Sequence, residues 1–465
     1  MLRYFRINDP YRLLALFVLL ALLSLPLLID QAGTTFPQLK GFVLGEKVSE
    51  GNVLYSEIVD STPPLASWFY GVCDLIFGRG TSYRIVLAFL ILFLQSAFLG
   101  IILIDKKAFT ENTYVPSLVF SVVTLISFDV FSLTADLAAF GFLLLALNAI
   151  LTEIEFRVQR DETIFNIGLF ISLASLFNFS YVIYLPGLFI ILIFFTRNSV
   201  RKYLLMLTGF LLPYLLLFSI YYLNDNAEEL WSRFLLPNLS FTNNFLIPFK
   251  SLLYLCAVPL FFLVLSFFIL NRNANLTKYQ SQVLQAMFLW LFVAFVQIYF
   301  SPDFRPQSLL PLTPAISFFF THYLLLIRRK KFAEISVWIL LLGIVTTLYL
   351  ARYQKIIPVD YSSLLVPAPS EVYINKRILV LEENPALLLN NTLSPAFVDW
   401  NLSKNIFENP QYYENVLLVN RFLEKDPPEI ILDPKNIMEK YFERLSVLKS
   451  NYRKEGNNWV RKKPD

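Results

Sequence analysis

Long apolar runs separated by short polar segments fill the chain up to about residue 350. The first run, Arg12 to Ile29, approaches the roughly 20 residues that a helix needs to cross the hydrocarbon layer. Because it contains Pro26 and ends at Asp30 without a small-residue cleavage site, we interpret it as a retained span and not as a signal peptide. Similar runs follow at residues 83–104, 115–128, 132–152, 166–179, 181–196, 204–223, 247–270, 283–300, 309–327 and 335–350. The pattern predicts a polytopic α-helical membrane protein with about eleven transmembrane helices.

Composition and charge support this interpretation and add an orientation. The chain is 56% hydrophobic and 16% charged, too apolar a balance for a water-soluble domain. Basic residues form short clusters between alternate apolar runs, which is the positive-inside pattern of inner loops. We therefore predict a cytoplasmic N-terminus and no nucleic-acid partner. An odd number of spans then places the C-terminus outside the cytoplasm.

The chain changes character after about residue 350. Charged residues are spread evenly through 351–465, and short apolar segments such as Arg377 to Leu381 and Glu429 to Asp433 alternate with helical stretches. We predict a transmembrane domain over 1–350, with a first outer loop at 30–82, and a small extracytoplasmic α/β domain over 351–465.

The chain has only two cysteines and one histidine that could take part in catalysis or metal binding. Cys73 and Cys256 lie far apart, neither belongs to a CxxC pair, and the single histidine, His322, lies in an apolar run. We expect neither a disulfide framework nor histidine-based nucleophilic catalysis.

Three aspartates lie within or at the ends of predicted spans, where an acidic residue carries a free-energy cost. An Asp at the centre of a membrane helix costs about 2.5 to 3.5 kcal/mol on insertion scales. Asp30 ends the first span, Asp129 lies in the turn between the third and fourth, and Asp136 lies within the fourth. Ordinary interfacial solvation is the structural alternative for Asp30 and Asp129, and a hydroxyl partner across helices is the alternative for Asp136.

The predicted first outer loop carries an ordered set of motifs. After Asp30 come Gly51 with Leu54 and Tyr55, then Glu57 and Asp60, Pro63-Pro64-Leu65, Trp68 to Tyr70, and Phe77-Gly78 before Arg84. A later segment, Phe304 to Ser317, has the sequence FRPQSLLPLTPAIS. In the order of its pieces the chain resembles the GT-C superfamily of membrane glycosyltransferases, of the protein mannosyltransferase and aminoarabinose transferase type.

The resemblance implies transfer of a glycosyl group from a polyprenyl phosphate-linked donor to a lipid, glycan or protein acceptor, outside a bacterial inner membrane. It implies Asp30 and Asp129 as catalytic residues, with Asp30 as general base, and both as ligands of a divalent cation such as Mg²⁺ or Mn²⁺. Arg305 is the first candidate for the leaving phosphate. The substrate-binding residues implied are Tyr55, Glu57, Asp60, Arg84, Asp136, Arg233 and Arg305, with Lys40 as a further candidate cation.

Two other functions fit the same sequence. One is a non-catalytic membrane scaffold or subunit of a cell-envelope assembly that shares the GT-C architecture. The other is a transporter or flippase, which requires charged residues near the bilayer midplane. Apart from Asp136 the predicted spans offer few, so the transporter ranks last.

Overall fold

The computed structural model describes residues 1–29, 33–155, 160–196, 199–240, 244–273, 276–367, 373–382 and 384–462. The α-helices in these ranges are α1 (Leu2–Phe5), α2 (Arg12–Ile29), α3 (Phe36–Ser49), α4 (Pro64–Phe77), α5 (Thr81–Asp105), α6 (Val115–Thr124), α7 (Ala135–Glu155), α8 (Asp161–Ser175), α9 (Tyr184–Phe195), α10 (Val200–Leu223), α11 (Ala227–Glu229), α12 (Leu236–Leu239), α13 (Phe249–Leu255), α14 (Ala257–Asn273), α15 (Lys278–Tyr299), α16 (Thr313–Leu326), α17 (Lys330–Arg352), α18 (Trp400–Glu408), α19 (Tyr413–Lys425), α20 (Ile437–Arg444) and α21 (Ser446–Ser450). The strands are β1 (Asn244–Phe245), β2 (Asp303–Phe304), β3 (Arg377–Val380), β4 (Thr392–Leu393), β5 (Ile430–Leu432), β6 (Tyr452–Glu455) and β7 (Asn458–Arg461).

The helices long and apolar enough to cross a membrane are fewer than the sequence predicts. In the described residues there are seven, namely α2, α5, α7, α10, α15, α17 and the stretch Pro306–Leu326, or up to eight if α13 and α14, bent by 66°, form one broken span. The other three predicted spans correspond to α6, α8 and the stretch Phe179–Phe195, of 10, 15 and 17 residues. A polytopic helical architecture is therefore observed, and the number eleven is not confirmed.

Proline and polar caps set several helix starts. Pro37, Pro64 and Pro116 occupy the first turn of α3, α4 and α6, where the missing N–H is not needed for an intrahelical bond. At α15 the Thr277 hydroxyl accepts from the Gln280 N–H at 3.2 Å, and the Gln280 side chain accepts from the Thr277 N–H at 3.2 Å. This reciprocal capping box starts the helix directly before its apolar run.

Residue contacts divide the chain into two units. Unit 1 comprises Met1–Ala32, Gly80–Leu217 and Phe241–Leu364. Unit 2 comprises Gly33–Arg79, Phe218–Ser240 and Leu365–Asp465.

Unit 1 is a helical bundle in which glycines permit close helix approach. A Cβ added to Gly168 of α8 would lie 1.9 Å from the Met206 carbonyl oxygen of α10. Conversely, a Cβ on Gly209 of α10 would lie 2.2 Å from the Phe165 carbonyl oxygen of α8. The two backbones are therefore in direct contact, as in membrane helix pairs that associate through small residues.

Unit 2 contains a mixed five-stranded sheet in the order β4-β3-β5-β7-β6. β3 pairs parallel with β4 and β5, whereas β7 pairs antiparallel with β5 and β6. Buried side chains from the sheet and from α18 to α20 form one core cluster, which includes Leu379, Ile431, Phe407, Val419, Phe422, Tyr441, Phe442 and Trp459. The apolar strands predicted at 377–381 and 429–433 are thus β3 and β5.

Segments of the predicted first outer loop are built into the same unit as the tail. Val59 belongs to the core cluster, donates its N–H to the Ala396 carbonyl at 2.9 Å and accepts from the Val398 N–H at 3.1 Å. Arg79 donates to the carbonyls of Leu388 and Asn391 at 2.9 and 3.1 Å. Within unit 2, residues 33–79 therefore share a hydrogen-bonded core with residues that begin more than 300 positions later.

We expect Gly168→Val to destabilise unit 1, since the new side chain overlaps the α10 backbone. Overpacking of this kind typically costs about 1–3 kcal/mol. The midpoint of thermal unfolding in detergent should fall relative to wild type. Gly141→Ala is the matched control on α7, because an added Cβ there meets only the Gln95 Nε2 atom at 3.6 Å. Equal midpoints for the two variants would contradict this close helix contact.

Candidate active site

Asp129 lies in a buried segment between α6 and α7. The segment 125–134 is shielded from solvent throughout, and Asp129 retains only 1% exposure. Its backbone turns are closed by hydrogen bonds from the Val130 N–H to the Ser127 carbonyl at 2.9 Å and from the Ser132 N–H to the Asp129 carbonyl at 2.8 Å. The carboxylate is therefore carried on a folded turn of fixed shape.

A 3₁₀ segment, Pro306–Leu312, holds this turn in place. The Ser127 hydroxyl donates to the Pro306 carbonyl at 2.6 Å. Gln307 makes two more bonds, accepting from the Thr134 hydroxyl at 2.6 Å and donating to the Ser132 carbonyl at 3.2 Å. The FRPQS motif thus positions the Asp129 turn through Gln307 and a proline carbonyl.

Asp136 and Arg305 form a buried ion pair in unit 1. Asp136, in the first turn of α7, and Arg305, directly before the 3₁₀ segment, are 8% and 5% exposed. One Asp136 oxygen bonds to the Arg305 guanidinium, and the other accepts from the Asn178 amide at 2.6 Å. Both carboxylate oxygens are therefore engaged, by a cation and by an amide.

A chain of polar side chains extends from this ion pair. The Asn178 Oδ1 atom accepts from the Ser180 hydroxyl at 2.8 Å, and the Ser180 hydroxyl accepts from the Gln297 amide at 2.8 Å. All three residues are buried. Such a network orders its members because each broken bond would leave a polar group in apolar surroundings.

The Asp129 carboxyl has a different environment. Its Oδ1 atom is buried and has no hydrogen-bond partner among the described residues. Burial raises the pKa of Asp129 to about 6, against the opposing influence of the nearby Arg305 and Arg352 guanidinium groups. The site therefore contains a carboxyl that titrates near neutral pH, as suits a general base.

Arg352 and Tyr361 also present buried polar atoms to unit 1. The Nε and Nη1 atoms of Arg352, at the end of α17, have no hydrogen-bond partner in the described part of the chain. The same holds for the hydroxyl of Tyr361, whose ring lies 5.8 Å from that of Phe128, the neighbour of Asp129. We call Asp129, Arg352 and Tyr361 the open polar cluster.

The described residues do not assemble a divalent-cation site around Asp129. No group of three His, Cys, Asp or Glu side chains suited to a metal occurs in the ranges that the structure describes. Asp136 is already bonded to Arg305 and Asn178, and the groups acting on Asp129 are two guanidinium cations. Asp30, the second ligand predicted, lies outside the described residues.

Two of the residues that the GT-C resemblance implies for substrate binding form an aromatic and cationic contact within unit 2. Tyr55 has a positive φ of 65°, donates its hydroxyl to the Thr62 carbonyl at 2.7 Å and stacks on Phe234 at 5.7 Å. Arg233 donates to the Tyr55 carbonyl. Both side chains thereby stabilise the fold of the loop segment.

The acidic residues of that segment also have partners within unit 2. Glu57 pairs with Lys425 at 2.5 Å and accepts from the Val53 N–H at 2.9 Å. Asp60 is fully buried and pairs with Lys40 at 3.0 Å. Lys40 also lies 3.7 Å from Asp399, the residue that caps α18. These ion pairs connect the loop to the tail.

The structure thus places the predicted residues in two groups. Asp129, Asp136 and Arg305 come together in unit 1, whereas Tyr55, Glu57, Asp60, Arg233 and Lys40 lie in unit 2. Arg84 is fully buried on α5 in unit 1.

Sequence inspection alone misses several functional candidates. Gln307, Asn178 and Gln297 are uncharged amides in apolar surroundings, and a search for polar side chains inside or beside predicted spans would have found them. Arg352 and Tyr361 follow the last apolar run, where such residues ordinarily mark the interface. No local sequence pattern predicts that the Tyr361 hydroxyl and two nitrogen atoms of Arg352 are buried.

A family model matches residues 71–357, which is more than half of the chain. The chain belongs to DUF6427, a family of unknown function. No curated protein sequence matches it.

Solved structures with the same fold include two of ArnT from Cupriavidus metallidurans. The form bound to undecaprenyl phosphate is 12% identical with a TM-score of 0.56, over 97% of this chain and 98% of that one. The apo form is 13% identical with a TM-score of 0.57, over 96% and 97%. The oligosaccharyltransferase AglB from Archaeoglobus fulgidus, in complex with an inhibitory peptide and a dolichol-phosphate, is 11% identical with a TM-score of 0.48, over 98% and 74%. The two ArnT matches confirm the predicted GT-C fold.

We expect Arg305→Met to destabilise this DUF6427 protein strongly, because Asp136 would remain buried without its cation. Breaking one side of a buried pair costs about 3–5 kcal/mol. The double variant with Asp136→Asn should recover part of the loss, as measured by thermal unfolding in detergent. Arg201→Gln is the control, since that exposed arginine pairs with Asp161 at the surface. A loss no larger than the control's would contradict a structural role for the pair.

The raised pKa of Asp129 predicts a pH-dependent effect of Asp129→Asn. The folded-state pKa of about 6 exceeds the usual value of 3.8, so ionisation on raising the pH through this range destabilises the folded protein. Asparagine does not titrate. The variant should therefore be more stable than wild type at pH 8, by on the order of 2 to 4 kcal/mol, and the gain should shrink towards pH 4. A pH-independent difference in thermal midpoint would show that the carboxyl titrates normally.

Proposed function

We propose that this protein is an integral membrane glycosyltransferase of the bacterial inner membrane. It moves a sugar from a polyprenyl phosphate-linked donor to a lipid, glycan or protein acceptor on the extracytoplasmic face. The observation that carries the proposal is the buried Asp129 carboxyl, flanked electrostatically by Arg305 and Arg352 in a fold shared along its whole length with ArnT.

Glycosyl transfer requires a negatively charged group for the acceptor and a positively charged group for the leaving phosphate. The acceptor's hydroxyl or amide must lose a proton as the new glycosidic bond forms, and the breaking bond leaves its electron pair on a phosphate oxygen. A carboxylate with a pKa of about 6 is suited to accept that proton at neutral pH. A guanidinium group is suited to stabilise the departing phosphate.

Asp30 has a second role in the proposal. In the sequence it directly follows Ile29, the last residue of α2. We assign it as an alternative general base for the acceptor. A divalent cation stays a prediction from the GT-C resemblance, and no step of the mechanism is derived through it.

The proposed orientation of the protein in the membrane follows the charged residues at the two ends of α7. α7 carries Asp136 in its first turn and Glu153, paired with Lys202 at 3.7 Å, near its last. At 1.5 Å per residue the Cα atoms of the two residues are separated along the helix axis by roughly 26 Å, which is close to the thickness of the hydrocarbon layer. The Asp136 end is assigned to the extracytoplasmic side, and the Lys202 end to the cytoplasmic side, where basic residues are enriched.

A non-catalytic scaffold is the second candidate. It is favoured by one observation: Tyr55, Glu57, Asp60 and Arg233 all have partners within unit 2. Four residues implied for substrate binding therefore have structural roles, which is also how an inactive member of the fold would use them.

Turnover by the purified protein in proteoliposomes, with a panel of polyprenyl phosphate-linked sugars, tests the proposal. We expect substitution of the general base, Asp129→Asn or, if the alternative base acts, Asp30→Asn, to lower kcat by about 10²- to 10⁴-fold, the usual contribution of a general base. Glu153→Gln is the matched control, because it replaces a buried carboxylate at the far end of the same helix as Asp136.

Undiminished turnover in both aspartate variants would rule out the proposed mechanism. If wild type used no donor and released no polyprenyl phosphate, the scaffold would become the better explanation. Purified variants should first show wild-type elution on size exclusion, so that lost activity is not lost folding.

A further inference from the structure

The two arginines near Asp129 have different electrostatic surroundings. Arg305 is bonded to Asp136, so its positive charge is compensated within the protein. Arg352 belongs to no ion pair in the ranges that the structure describes, and its Nε and Nη1 atoms are buried without a hydrogen-bond partner. Asp129 acts on it only through longer-range attraction.

Two buried N–H groups without a partner destabilise the folded protein. The free-energy cost of an unsatisfied buried donor is larger for a charged group than for a neutral one. A cation at the C-terminus of a helix is ordinarily explained by the helix dipole, and Arg352 does end α17. That effect acts equally on an exposed side chain, so it does not account for two buried N–H groups that bond to nothing.

Tyr361 also carries an unsatisfied donor in the same unit. Its side chain is 7% exposed and packs edge-on against Phe128, next to Asp129. The chain around it is held by the Asp360 N–H, which donates to the Ser251 hydroxyl at 3.1 Å. The hydroxyl is therefore held in place while it lacks a partner, as expected of a group that meets a ligand.

We propose that Arg352, assisted by the Tyr361 hydroxyl, binds the phosphate ester of the lipid-linked substrate. A guanidinium fork matches the oxygen spacing of a phosphate, and Arg352 is the cation of the open polar cluster. Arg305 is then a positioning residue that holds Asp136 and the neighbouring Gln307 segment. This inference rests on the proposed function for its lipid, but its test requires no turnover.

Binding to purified protein in detergent tests the proposal, with three probes: undecaprenyl phosphate, undecaprenol and inorganic phosphate. The variants are Arg352→Gln, Arg352→Lys and Tyr361→Phe, with the exposed Arg201→Gln as control. Wild type should bind undecaprenyl phosphate more tightly than undecaprenol. Arg352→Gln should weaken binding of the phosphate form by at least about tenfold, as for a lost hydrogen bond to a charged group. Arg352→Lys should restore part of it, and Arg201→Gln should bind as wild type does.

A second readout separates a binding residue from a structural one. Without ligand, Arg352→Gln should unfold at a temperature equal to or above that of wild type, because a charged group with two buried, unbonded nitrogen atoms is removed. A clear loss of thermal stability in the ligand-free variant would indicate a structural arginine and would overturn the proposal.

The binding outcomes distinguish the sources of the phosphate and the two levels of inference. Weakening of inorganic phosphate binding in parallel would support recognition of the phosphate group itself. Equal affinity of wild type and Arg352→Gln for undecaprenyl phosphate would overturn the role of Arg352 and leave the glycosyltransferase proposal intact. Equal affinity of wild type for undecaprenyl phosphate and undecaprenol would also overturn the role of Arg352 in phosphate binding. Arginine-dependent binding without turnover on any donor would support Arg352 and count against the enzyme.

Discussion

The buried ion pair of Asp136 and Arg305 is the constraint on which the arrangement around Asp129 depends. A carboxylate in an apolar helical bundle cannot remain charged without a cation, and here the cation comes from 169 positions away in the sequence. The pair joins the start of α7 to the 3₁₀ segment after Arg305. Since Asp129 lies seven residues before one partner and Gln307 two residues after the other, the pair brings both into reach. We infer that its main contribution is geometric, because a buried pair often adds little net stability over apolar packing.

Two groups of polar side chains surround the site in unit 1. Asn178, Ser180 and Gln297 continue the ion pair as a chain of short hydrogen bonds. The open polar cluster of Asp129, Arg352 and Tyr361 lacks such bonds at the atoms described above. A folded protein usually completes its buried hydrogen bonds, so the exceptions are where a ligand is expected to supply the missing partners. This contrast separates the groups that build the site from the groups that we assign to substrate.

Unit 2 shows how motif residues can serve the fold. The order of pieces from Tyr55 to Gly78 resembles a glycosyltransferase loop, and the fold agrees with that resemblance. Yet Glu57 and Asp60 meet Lys425 and Lys40, and Val59 pairs with backbone groups of the tail. An acidic residue in a motif is therefore compatible with either role until its partner is known. Sequence order identified the fold, and the substrate-binding roles of individual side chains stay predictions.

The sequence by itself determined the class of protein, because transfer of a helix into lipid depends on apolar residues that are contiguous along the chain. It also singled out Asp129, Asp136 and Arg305, since charges next to apolar runs are costly wherever the chain folds. The number of spans that it predicted is not confirmed, because runs such as α6 and α8 are apolar but short, and burial against neighbouring helices selects for apolar residues as lipid does. Only the tertiary structure decided the partners: that Arg305 is compensated by Asp136 and that Arg352 has two buried nitrogen atoms and no ion pair among the described residues. Partnership depends on distances between residues remote in sequence, which no local pattern encodes.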